Sequence, residues 1–202
     1  MRSVSSRRTF VTTQVGLVLA TLVLSTSSVV LAGGSSAEAQ RPRGDSLAPF
    51  VPTPQDVVAR MLALAQVTKN DVVYDLGSGD GRLVIAAAKI GARGVGIDID
   101  PQRIEEGRAN AKAAGVEHLV EFRLQDALEA DLSDATVVTL YLLSSSNAKL
   151  RPRLTEQLKP GARIVSHQFG MGDWEPAKVE TFTDGNGTSR TLYLWTTDGT
   201  KR

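Results

Sequence analysis

The chain is predicted to fold as an α/β protein with a mostly parallel seven-stranded sheet, helices on both faces and a C-terminal antiparallel hairpin. Three observations predict it. Short apolar strands alternate with helical segments from residue 71 to residue 166, the pattern of parallel strands buried on both sides. The apolar stretches 179–183 and 189–196 are joined by Asp184-Gly185-Asn186-Gly187, a hairpin connection. A strand also runs straight into Gly77-Ser78-Gly79-Asp80-Gly81, which opens the next helix. With 202 residues, 42% of them apolar and 22% charged, the chain can build one domain with a core of its own.

In chain order, Val57, Val58, Met61, Leu62 and Ala65 recur at helical spacing and predict a helix over 55–66. The spacing then predicts a strand over 71–76, a helix over 82–90 and a strand over 94–98. A helix over 101–114 follows, with Asp100 as cap and Pro101 in its first turn. Strands over 120–124 and 135–142, a helix over 148–158 and a strand over 163–166 complete the series before the hairpin.

Residues 1–39 differ in kind. Arg2, Arg7 and Arg8 precede an acid-free apolar run over 15–24, a serine-threonine patch and Ala37-Glu38-Ala39, the order of a secretory signal cut after Ala39. The apolar run is about ten residues, short of the roughly 20 a membrane-spanning helix needs. Ser6-Arg7-Arg8-Thr9-Phe10-Val11 resembles the twin-arginine signal, whose route moves folded proteins. The expectation is an exported protein, periplasmic or in the cell envelope, and a cytoplasmic one if the signal is not used. Residues 40–54 read as an extended lead-in and 55–202 as the domain. Beyond residue 39 the chain keeps 20 Lys and Arg against 21 Asp and Glu, too even a balance for a nucleic-acid or anionic-lipid footprint. The absence of cysteine excludes thiolate chemistry, and His118 and His167 are too few for a histidine metal site.

The chemistry concentrates at three strand ends. In Asp75-Leu76-Gly77-Ser78-Gly79-Asp80-Gly81 the glycines stand where the backbone needs positive φ or close approach to a ligand. A dinucleotide fingerprint would place its third glycine at Arg82, but it stands at Gly81, which disfavours a pyrophosphate. Asp75, just before the turn, suits a ligand with a cationic amino-acid end. Asp98 closes the next strand, where a carboxylate accepts from both hydroxyls of a ribose; it reads equally as a surface turn residue. Asp126 follows the third strand, where it can accept from an adenine amino group or cap a helix. Three such sites at the carboxyl ends of consecutive strands point jointly to S-adenosylmethionine.

On these residues the sequence resembles a Rossmann-like class I methyltransferase. Over roughly residues 49–195 it is similar to the protein-lysine methyltransferases that include the mitochondrial ATP synthase c-subunit and adenine nucleotide translocator enzymes. Pro49-Phe50-Val51-Pro52-Thr53, Asp75 to Arg82 and the stretch 169–174 carry the likeness. The chain departs from that family in its export signal and in ending its second strand Asp98-Ile99-Asp100 rather than Glu-Leu-Asn. The resemblance implies a cofactor set of Thr53, Asp75, Gly77, Ser78, Gly79, Asp98 and Asp126, and a protein lysine as acceptor. A small-molecule amine, served by a deep closed pocket, and an exported binding module without catalysis are the alternatives.

The acceptor groups are expected beyond the fourth and fifth strands. The fourth lacks the Asn/Asp-Pro-Pro-aromatic signature of amide and base methyltransferases. Tyr141 can orient an amine or simply fill the core. His167 can take a proton near neutral pH or be a structural histidine, as His118 is expected to be. Asp173 and Trp174 lie in a glycine-flanked loop that can hold a cationic acceptor against carboxylate and ring; Trp174 reads equally as core packing.

Overall fold

The structure, a computed structural model, describes residues 46–202; the predicted export signal lies outside the described residues. Its elements are α1 (Gln55–Leu64), β1 (Val72–Leu76), α2 (Arg82–Ile90), β2 (Arg93–Asp98), α3 (Pro101–Ala113), β3 (Val120–Leu124), β4 (Val137–Leu140), α4 (Ser144–Gln157), β5 (Arg163–His167), β6 (Lys178–Thr183) and β7 (Ser189–Thr196). The seven strands form one sheet in the order β3-β2-β1-β4-β5-β7-β6. The first five in that order run parallel, and β7 pairs antiparallel with both β5 and β6. This is the sheet predicted. No helix among the described residues is long and apolar enough to cross a membrane.

Boundaries differ where local chemistry overrides periodicity. α1 stops at Leu64 because Gln66 turns left-handed (φ 52°), so that Gln66 N bonds Ala63 O and Val67 N bonds Leu62 O, a Schellman closure. α4 starts at Ser144, four residues before the predicted start, because the serines that read as loop form its first turn on the Leu143 carbonyl. β4 ends at Leu140 rather than Leu142. The apolar run continues, but Tyr141 and Leu142 leave the ladder and line a cavity at the strand's carboxyl end.

Alternation along the strands decides what the cavity can contain. On one face α1 and α2 pack Val57, Met61, Leu83 and Ala87 against Val73, Val137, Val165 and Leu192. α3 continues this layer around Phe122. On the other face Tyr74, Leu76, Ile97, Leu140, Ile164 and Trp195 meet Leu150 and Leu154 of α4. Asp75 and Thr139, paired across β1 and β4, therefore turn to the α1 side, as do Tyr141 and His167.

Candidate active site

A cavity of about 220 Å³ opens at the carboxyl ends of β1, β2 and β4. Its floor is the turn after β1. Gly77, Gly79 and Gly81 all have positive φ (81°, 54° and 79°). A Cβ on Gly79 would run into the Phe50 ring, and one on Gly81 would lie 2.5 Å from Phe122. Only glycine lets Phe50 of the lead-in and Phe122 of β3 close on this turn.

The carboxylates surround that floor. Asp75 is buried, accepts from Thr139 Oγ1 at 2.7 Å, and has no ion-pair partner among the described residues. Desolvation pushes its pKa up to about 7, against the Thr139 hydrogen bond, with Asp98 and Asp80 adding repulsion. A carboxylate in that position is completed by a cation. Asp98 accepts from Gly79 N at 2.8 Å and Asp100 N at 2.9 Å, which fixes its head at the end of β2 and leaves lone pairs for two hydroxyls. Asp126 caps a 3-10 turn by accepting from Leu128 N at 2.8 Å and also lines the cavity, so the cap and ligand readings hold together. Ser78 Oγ is buried without a hydrogen-bond partner among the described residues. Buried cation-seeking carboxylate, orphaned hydroxyl, glycine cradle and hydroxyl-accepting Asp98 fit the amino-acid, adenosine and ribose parts of S-adenosylmethionine.

Residues 46–53 form the remaining wall. Arg82 ties them down by donating to Thr53 O at 2.6 Å while pairing with Asp80. Ser146 Oγ donates to Leu47 O, and Arg103 lies 4.5 Å over the Phe50 ring. Phe50, Arg82 and Arg103 were absent from the predicted cofactor set. Phe50 stood in the stretch carrying the family likeness, but no local pattern shows that a lead-in folds back over the sheet.

Of the predicted acceptor residues, only Tyr141 lines the cavity. His167 is fully buried behind it, with ring centroids 4.0 Å apart. Burial, with the Arg190 charge adding to it and Asp184 opposing, lowers the His167 pKa to about 4; the imidazole is neutral, and neither nitrogen has a hydrogen-bond partner among the described residues. The structure does not bring Asp173 and Trp174 to the site. Trp174 packs in the α4-side core, 6.0 Å from Trp195, whose Nε1 donates to its carbonyl at 2.8 Å. Asp173 points to solvent and pairs with Arg151 of α4. Both lie on the face opposite Asp75, because the chain after β5 crosses over the α4 side before returning as β6.

Residues 75–178 match the ANTKMT methyltransferase domain family. The chain is 46% identical to a protein-lysine N-methyltransferase of Saccharolobus islandicus, over 73% of this chain and 92% of that protein. It is 33% identical to the adenine nucleotide translocase lysine N-methyltransferase of Mus musculus, over 74% of this chain but only 62% of that longer protein. A crystal structure described as an RNA methyltransferase from Salinibacter ruber in complex with S-adenosyl-L-homocysteine is 58% identical, covers 75% of this chain and 97% of its own, and superposes with a TM-score of 0.70. The chain therefore belongs to the ANTKMT methyltransferase-domain family and is an S-adenosylmethionine-dependent methyltransferase.

Proposed function

We propose that this enzyme methylates the side-chain amine of a protein lysine. The observation that carries the reading is the 46% identity to a protein-lysine N-methyltransferase across nearly the whole of that protein. The RNA methyltransferase description of the Salinibacter structure supplies the rival. Against it, the chain beyond residue 39 carries 20 Lys and Arg against 21 Asp and Glu, with no excess of positive charge to meet a phosphate backbone.

S-adenosylmethionine supplies a methyl group activated by its sulfonium, so the protein's work is to position the acceptor in line and keep water out. Asp75 and Asp98 hold the donor end; Tyr141 stands at the acceptor end. A lysine amine attacks only when neutral, and its ordinary pKa is about 10.4. A His167 imidazole near 4 lies about six units below that, too weak a base to hold the proton. Desolvation beside Tyr141 is the stronger route, since it lowers the amine's own pKa. His167→Ala is then expected to cost less rate than Tyr141→Ala, and raising the pH is expected to speed both variants.

The test is methyl transfer from labelled S-adenosylmethionine into an envelope extract, with peptide mass spectrometry to locate the label. Label on lysine is the expected result. Label confined to RNA establishes the rival, and label only on carboxylates, hydroxyls or small molecules rejects the lysine acceptor.

A further inference from the structure

We propose that Phe169 and Tyr141 form an aromatic acceptor subsite that takes the alkyl stem of a primary amine, with Tyr141 at the cavity and Phe169 towards solvent. The proposal rests on the amine reading above and gives a role to Phe169, which opens the stretch 169–174 but was in neither predicted set of site residues.

The two rings stack with centroids 6.4 Å apart and an interplanar angle of 27°, while His167 closes on Tyr141 from beneath at 4.0 Å. Tyr141 lines the cavity and Phe169 does not; Phe169 is half-buried, so the rings run in file from the cavity wall to the surface. Phe50 and Val51, which line the same cavity, are large apolar side chains about half exposed. An apolar path suits a chain of methylenes carrying one amine, since the methylenes gain from burial and the water-poor surroundings favour the neutral form of the head group.

The chain holds Phe169 with more restraint than a half-exposed ring needs for packing alone. Gln168, just before it, takes a left-handed φ of 67°, which a residue with a Cβ adopts only when its surroundings enforce it. Thr191 enforces it: Gln168 N donates to Thr191 O, and Thr191 N donates to Gln168 Oε1, each at 2.7 Å. On the other side Ser166 Oγ donates to the Phe169 carbonyl at 2.6 Å. The fully buried Asn147 donates from Nδ2 to the carbonyls of Phe169 at 3.0 Å and Gly170 at 3.3 Å. His167 and Phe169, two residues apart, are thereby both presented to Tyr141.

The experiment uses the full chain saturated with S-adenosylhomocysteine and n-butylamine as the probe, a lysine side chain without its backbone. Saturation-transfer NMR is expected to show contact between aromatic protons and the butyl methylenes. Phe169→Ala should weaken n-butylamine binding about tenfold, and Phe169→Tyr should restore it to within about twofold of the unaltered protein. S-adenosylhomocysteine affinity should stay the same in both variants, which a general loss of structure would not allow. Absence of n-butylamine binding in the unaltered protein, equal binding by Phe169→Ala, or a parallel loss of S-adenosylhomocysteine affinity each overturns the subsite. Extract label found off lysine overturns the lysine reading without touching this result.

Discussion

Asp75 gives cofactor binding a pH dependence whose sign and size follow from its surroundings. Desolvation raises its pKa from 3.8 to about 7, so in the free protein the carboxyl is mostly protonated at pH 6 and mostly ionised at pH 7.5. Between those two pKa values the folded protein keeps a proton that the unfolded chain has released, and stability contributed by this group falls as pH rises through that window. Cofactor binding runs the other way, because the α-ammonium needs the ionised carboxylate. Affinity should climb through pH 7 as the carboxyl ionises. Ionisation of this carboxyl alone gives an affinity about eightfold higher at pH 7.5 than at pH 6. Asp75→Asn should abolish the climb and, by removing a charge-assisted hydrogen bond, lower affinity at pH 7.5 by roughly tenfold or more. Calorimetry with S-adenosylhomocysteine, which shares the amino-acid end, measures this at pH 6, 7.5 and 9. Two buffers of different ionisation heat reveal the proton released on binding at pH 6. A flat affinity from pH 6 to 7.5, or the same climb in Asp75→Asn, would show that the ammonium does not sit on this carboxylate.

Asp98→Ala removes the acceptor held at the end of β2 and should weaken cofactor binding about 10- to 150-fold, corresponding to about 1.5 to 3 kcal/mol, in the same calorimetry. Gly79→Ala drives a Cβ into the Phe50 ring at a left-handed backbone; it should displace residues 46–53 and reduce cofactor affinity, and adding Phe50→Ala should recover part of the loss if the clash is the cause. Trp174→Ala should lower stability by about 3 to 5 kcal/mol in urea unfolding, as a large buried ring does, while the folded fraction binds cofactor normally; a selective loss of methyl transfer at full stability would return Trp174 to the site. Export is proposed from Arg7 and Arg8 and the short apolar run after them. Arg7→Lys with Arg8→Lys should trap the chain in the cytosol on fractionation, and unchanged export would leave only a general secretory signal.

Strand ends were legible in the sequence because they depend on short-range features. Asp75, Asp98 and Asp126 each follow a run of strand residues, and a parallel α/β sheet puts every strand's carboxyl end on one edge, so their convergence on one cavity needed only the element order. The glycine turn was legible for the same reason, since positive φ is a property of the turn itself. Alternation along the observed strands then puts Asp75 and Thr139 on one face, a pairing that the separate strand patterns did not reveal. What lies beyond a strand is not periodic. Asp173 and Trp174 read as a loop over the site, yet the path of the chain after β5 carried them to the α4 face, where the Trp195 indole hydrogen bond holds Trp174 in the core. The same path, bent at Gln168, set Phe169 beside Tyr141. The lead-in likewise showed no pattern of its own, and only its contacts with Arg82, Arg103 and Ser146 made it a wall of the cavity. Local sequence therefore determined the sheet, its helices and the donor-side carboxylates. Tertiary structure decided the acceptor side, because its residues meet only through the routes of irregular segments, which long-range packing selects and spacing does not encode.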